Sequence, residues 1–149
     1  MKVPNFQKDT LINAPPDKVF AYVSDFRRHP EWASHRLSIE PVSEGPLAVG
    51  SKFKSVGHQM GMESRDEVTV SEVVADRRLT YDVSTHQGES FRHSIDLQPE
   101  GAGTRVTKSM NFVKTGIVTK LMMPLVLILV PKILSSDLQR IKSHIESAA

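Results

Sequence analysis

From Leu37 to Val113 the apolar residues recur mostly with a period of two, broken by a loop around Glu44-Gly45-Pro46 and by short turns. A period of two is the signature of half-buried strands, whose side chains alternate between two faces. Residues 50–60, 62–74, 78–86, 89–98 and 104–113 read as five strands, preceded by one that starts at Leu37. The turns between the five, at Gly61, Ala75-Asp76, Gln87-Gly88 and Pro99 to Gly103, are of hairpin size. Parallel neighbours need a crossover of about a dozen residues or more, so turns this short force an antiparallel meander. Residues 6–12 alternate as well and bring the expected sheet to about seven strands.

Such a sheet needs an apolar cover on one face only. Two short helical pieces are expected after the first strand. Pro15-Pro16-Asp17 ends that strand and opens a helix carrying Val19, Phe20 and Val23, because proline fits the first helical turn and an acid suits the positive end of the dipole. Residues 26–33 form the second piece, with Trp32 as a large anchor on the sheet or at a pocket rim.

The main cover is expected from residues 116–148. In the second half of that segment Ile133, Leu134, Leu138, Ile141 and Ile145 form an apolar stripe, and Asp137, Arg140, Lys142 and Glu146 are assigned to the solvent side. The first half differs, since residues 121–130 carry no charge and are apolar all round. Ten residues make a helix of about 15 Å, half of a ~30 Å hydrocarbon core, so the run is too short to span a bilayer. Pro124 and Pro131 should bend or divide it. A segment of this kind must bury its circumference, line a cavity or touch a membrane surface.

Composition narrows the chemistry. With 39% hydrophobic and 24% charged residues, a chain of 149 residues can build one core with room for a cavity, and one domain over 1–149 is expected. The absence of cysteine excludes disulfides, thiolate nucleophiles and sulfur-bound zinc, and fits a reducing compartment. Met1-Lys2-Val3 leads into polar, alternating sequence without the apolar stretch of an export signal, so a cytoplasmic location is expected. The net charge of +2 comes from interspersed acids and bases, and no basic run suits a phosphate backbone, so no nucleic acid partner is expected. The six histidines show no metal-binding spacing, and no phosphate loop, dinucleotide fingerprint or nucleophile elbow is present, so neither metal nor cofactor is expected.

The order of several motifs resembles one known group. Ile12-Asn13-Ala14-Pro15-Pro16-Asp17-Lys18-Val19-Phe20 followed by His29-Pro30-Glu31-Trp32 is similar to the opening of START-like (SRPBCC) domains, the polyketide cyclase/dehydrase and lipid transport group. Gly50-Ser51-Lys52-Phe53, the stretch from Glu67 to Tyr81, Gly103-Thr104-Arg105-Val106-Thr107 and Asp137-Leu138-Gln139-Arg140-Ile141-Lys142 continue the likeness along nearly the whole chain. The resemblance implies an α+β helix-grip fold: a seven-stranded antiparallel sheet around a long C-terminal helix, with two short helices after the first strand. It implies a hydrophobic small-molecule partner such as a lipid, an isoprenoid or quinone, or a polyketide-like compound. It does not choose between carriage and cyclase/dehydratase chemistry.

Strand parity supplies the candidate lining. Phe53, Ser55 and Gln59 share one side of their strand, and Asp66 and Val68 share the apolar side of the next. Tyr81 and Val83 follow, then Phe91 and His93, then Lys108, Met110 and Phe112. Leu121, Met122, Leu125, Val126 and Leu129 would close the cavity from above, with Trp32 at its rim. His93 is either a ligand-bonding or acid–base group or a satisfied core histidine. Asp66, on an apolar face, must be paired or hold a raised pKa, with Arg65, Arg92 or Lys108 as candidate partners. Tyr81 offers a hydroxyl or fills volume. An enzyme would have to use His93 with Asp66 or Tyr81. A third role, transient contact with a membrane surface or a protein, would fall to residues 121–130.

Overall fold

The computed structural model describes residues 5–59 and 61–148, and for Gln59 the backbone alone. Met60, the expected end of one strand, and the Gln59 side chain therefore lie outside the described part. Seven strands form one antiparallel sheet: β1 Asn5–Ile12, β2 Arg36–Pro41, β3 Lys52–Gln59, β4 Met62–Val74, β5 Arg78–Thr85, β6 Ser90–Glu100 and β7 Gly103–Lys114. Their order is β1-β7-β6-β5-β4-β3-β2, a meander that begins at β2 and closes with β1 beside β7. Helix α1 spans Pro16–Val23, and a 3-10 turn at Phe26–Arg28 runs into α2, His29–Trp32. After β7 come α3, Ile117–Leu121, and the long α4, Met123–Ser147. The fold is the expected α+β helix grip.

Local chemistry explains the breaks. Pro16 opens α1 with Asp17 in its first turn. The β6–β7 hairpin is tighter than expected: Glu100 pairs with Gly103, so Pro99 and Glu100 belong to the strand. Gly101, at φ 60°, takes the left-handed conformation that this two-residue turn needs. Before α4 the chain breaks at Met122, two residues ahead of Pro124, which sits in the first turn of α4. Pro124 thus divides the apolar segment as expected, whereas Pro131 is carried inside the helix.

The inner face of the sheet has two zones, which the register defines. Toward the β6–β7 hairpin, Leu79, Ile95, Leu97, Val106 and Ile12 are fully buried against α1 and the second half of α4, where Leu138, Ile141 and Ile145 face them. Toward the β3–β4 and β5–β6 hairpins, Val70, Tyr81, His93, Met110 and Phe6 form a row across five strands. Val68, Val83, Phe91 and Phe112 form the next row. Above these rows the cover is thinner, and a space remains.

Candidate functional site

That space is a cavity of about 400 Å3, of the size that holds a small molecule. Its floor is the second zone of the sheet: Val68, Tyr81, Val83, Phe91, His93, Met110 and Phe112. Leu37 and Ile39 of β2 with Ser55 and Gly57 of β3 make one wall, Phe26, His29 and Trp32 another. The roof is α4, through Val126, Val130, Ile133 and Leu134, with Thr119 of α3 at the edge. The aromatic side chains pack in two groups. Phe26 stacks on Phe53 at 4.4 Å and meets Tyr81 edge-on at 5.2 Å, while Phe112 meets Phe91 edge-on at 5.1 Å.

Two parts of this mostly apolar space are polar: a patch of Ser55, Ser64 and Asp66 toward the β3–β4 hairpin, and a corner at Lys108. Lys108 stands in line with Leu79 and Ile95, directly across from Ile95 in the register, and is buried. Its ammonium lies 3.4 Å from a carboxylate oxygen of Asp137, which is also buried. The other Asp137 oxygen accepts the Ser34 backbone N–H at 2.9 Å. Arg140 donates to the Ala33 carbonyl nearby, so α4 is held to the segment after α2 at two points. The Lys108 ammonium also stands 5.4 Å from the centre of the Trp32 ring, within cation–π range.

The histidines around this corner are neutral. His29 donates its Nε2 proton to the Val23 carbonyl at 3.0 Å and stacks on Phe26 at 4.2 Å; burial drives its pKa down to about 3. His93 lies flat on Tyr81, with ring centres 5.1 Å apart, and its Nδ1 is buried without a hydrogen-bond partner among the described residues. Burial pushes its pKa well below the ordinary value, and the Lys108 charge adds to that. Burial also lowers His35. It raises the Tyr81 phenol, with the Asp137 charge acting in the same sense. Burial raises Asp66 as well, although Ser64 donates to its carboxylate at 2.6 Å.

Of the expected lining residues, the structure brings together Trp32, Ser55, Val68, Tyr81, Val83, Phe91, His93, Met110, Phe112 and Val126, with Asp66 among them. Phe53 points to the right face but is not in the lining; it is half-buried and stacked on Phe26. Met122 and Leu125 are not in the roof: the break at Met122 shifts the helical phase, and both face outward, 44% and 40% exposed. Leu121 is turned out further still, at 78%. The partners expected for Asp66 are engaged elsewhere, since Arg65 pairs with Glu63, Arg92 with Asp82 and Lys108 with Asp137. Asp137, expected on the solvent side of its helix, is inside. Sequence reasoning also missed His29 and His35 as wall residues, because neither lies on a strand whose parity could place it. Among the described residues no group of acidic and histidine side chains could hold a metal ion.

A sheet wrapped on a long helix, with an apolar space between them, defines a helix-grip domain of the small-molecule-binding kind. The polyketide cyclase/dehydrase and lipid transport family matches over residues 4–146, and the chain belongs to that family. No curated protein matches the chain. Among solved structures, a protein of Thermus thermophilus is 23% identical, covers 98% of this chain and 99% of its own, and superposes with a TM-score of 0.77. A protein of Arthrobacter aurescens is 16% identical, with coverage of 96% and 86% and a TM-score of 0.74. One from Mycobacterium smegmatis is 12% identical, with 100% and 99% and a TM-score of 0.72. At these identities the likeness speaks to the fold alone.

Proposed function

We propose that the chain binds an apolar or amphipathic small molecule, of lipid, isoprenoid, quinone or polyketide-like type, between the sheet and α4. The observation that carries this reading is the cavity of about 400 Å3, walled mostly by aliphatic and aromatic side chains, with a buried polar corner at Lys108. Burying ~300 Å2 of apolar ligand surface would contribute about 7 kcal/mol before the cost of immobilisation, enough for carriage or sensing with few polar contacts. The same cavity gives less support to acid–base chemistry. His93 stacks on Tyr81 without using its Nδ1, and Asp66 is satisfied by Ser64. The lack of cysteine fits action in a reducing cytoplasm.

The test is native mass spectrometry of the purified protein, before and after solvent extraction, with titration of a hydrophobic fluorescent probe. A retained compound, or micromolar probe binding abolished by Val83→Trp, is the expected result. A bare mass together with no probe binding would sink the reading.

A second role, transient contact with anionic membrane surfaces, is supported by the outer side of the roof. Ile117, Val118, Leu121 and Ile128 are 57–78% exposed, and Thr119 between them borders the cavity. Lys114, Lys120 and Lys132 flank this apolar face, and residues 111–136 contain no acid. Glu89 approaches from the β5–β6 turn, where it accepts the Gly116 N–H, and Glu63 in the β3–β4 hairpin is paired with Arg65. The local excess of positive charge therefore favours an anionic lipid surface over a protein of mixed charge. Among the described residues no helix is long and apolar enough to cross a membrane. Co-sedimentation with phosphatidylglycerol vesicles should be lost in Leu121→Asp and weakened by salt. Wild-type protein that ignores such vesicles, or a dimer dispersed by the same substitution, would refute the role.

A further inference from the structure

The polar corner constrains the ligand more closely than the apolar walls do, a constraint that rests on the proposed binding role of the cavity. An ammonium buried in an apolar wall is stable only when its donors are filled. Lys108 has three donors and is 2% exposed, yet its contact with Asp137 is an ion pair at 3.4 Å. A charge-assisted N–H···O bond is shorter, roughly 2.7–2.9 Å. The pair balances charge and leaves hydrogen-bonding capacity on the cavity side.

We infer that the ligand carries a neutral carbonyl oxygen, as in a ketone, quinone or ester, which accepts a hydrogen bond from Lys108 at the inner end of the cavity. Three observations converge on it. Lys108 lines the cavity beside Tyr81, His93 and Asp137, so an acceptor can reach it from the ligand space. The corner has no net charge to offer an anion, because Asp137 already balances Lys108 and the neighbouring imidazoles are neutral. A carboxylate would lose its hydration and meet Asp137, whereas a carbonyl meets a donor at little desolvation cost. The flat Tyr81–His93 stack beside it provides a surface for an extended or ring-shaped body.

Three probes of one shape test this: 2-ethylnaphthalene, 2-acetylnaphthalene and 2-naphthoate, titrated by fluorescence. A hydrogen bond from a charged donor corresponds to roughly ten- to a hundredfold in affinity, so the acetyl compound should bind at least about tenfold tighter than the ethyl compound. Naphthoate should bind more weakly than the ketone. In the double variant Lys108→Met with Asp137→Leu, which removes both charges together, the ethyl compound should bind unchanged or tighter and the preference for the ketone should vanish. Equal binding of ethyl and acetyl probes, tightest binding of naphthoate, or a preference that survives the double variant would each overturn the assignment. A measurement without any variant stands beside these: the 13C carbonyl signal of labelled 2-acetylnaphthalene in the bound state should lie downfield of its position in hexane, and a bound signal at the hexane position would count against the bond. If none of the three probes binds, the cavity reading itself fails, an outcome distinct from binding without discrimination.

Discussion

Removing the charge of Lys108 alone should be among the most damaging substitutions in the chain, and removing Asp137 with it should restore most of the loss. Lys108→Met leaves a buried carboxylate with the Ser34 amide as its remaining partner. Breaking a buried pair in this way typically costs about 3–5 kcal/mol, because the surviving charge stays desolvated. Asp137→Leu strands the ammonium and leaves the Ser34 N–H unpaired, for a similar loss. The double variant has no buried charge and gains apolar contact with its neighbours. Only the orphaned Ser34 amide remains against it, about 1 kcal/mol if water reaches that half-buried group. It should therefore lie within about 1–2 kcal/mol of wild type, which makes the coupling between the two sites at least 4 kcal/mol or so. Urea unfolding followed by far-UV circular dichroism gives all four corners of the cycle. Trp32 fluorescence is the poorer probe, because the Lys108 ammonium lies over its ring. If each single variant loses less than 1 kcal/mol and the effects simply add, the pair is hydrated and the description of a dry polar corner is wrong.

The same packing sets three further outcomes. His29 titrates near 3 in the folded protein against an ordinary 6.5, and His93 is lowered in the same direction. The unfolded chain therefore binds more protons below pH 6.5, and stability present above that value is lost as pH falls toward 3. For His29 the slope between the two values is about 1.4 kcal/mol per pH unit, so this residue alone should make urea unfolding at pH 5 roughly 2 kcal/mol less favourable to the fold than at pH 7.5; His93 adds in the same direction, and His93→Phe should remove part of the difference. Gly103→Ala would set a Cβ 2.6 Å from the Ile12 carbonyl oxygen, a backbone atom that cannot swing aside, and should cost about 1–3 kcal/mol by thermal melting. Leu134→Ala should cost about 2–5 kcal/mol by chemical denaturation, whereas Leu125→Ala, on the outward face of the same helix, should stay within about 0.5 kcal/mol.

Strand parity made most of the site readable in advance. Tyr81, Val83, Phe91, His93, Met110 and Phe112 fall on one face because the hairpins on both sides of β6 fix its register, and a period of two then orients every side chain. Parity says which face a residue takes, not how far along the strand the cavity lies. Phe53 shares its face with Ser55 and still stays outside the lining, stacked on Phe26. Helical phase was legible only within an unbroken helix. The turn at Met122 separates α3 from α4, so a phase carried across it put Met122 and Leu125 on the wrong side. Asp137 failed for a different reason. A carboxylate on an amphipathic helix is normally solvated, and only its partner on β7, distant in sequence, makes its burial tolerable. His29 and His35 were hidden because non-periodic segments carry no orientation signal.

The proline inside α4 makes that helix a two-speed element. Pro131 has no amide proton to return to the Leu127 carbonyl, so the hydrogen-bond ladder is interrupted within the roof of the cavity, between Val126–Val130 and the Ile133–Leu134 side that leads into the anchored half. Below the gap, Leu134, Leu138 and Ile141 are locked into the core; above it, only Val130 and Met123 are buried. Loosening the upper turns therefore sacrifices little of the cooperative core, and amide hydrogens of residues 126–130 should exchange with solvent well before those of residues 138–145. A cavity roofed in this way can open to solvent through a local fluctuation, while the rest of the domain stays folded.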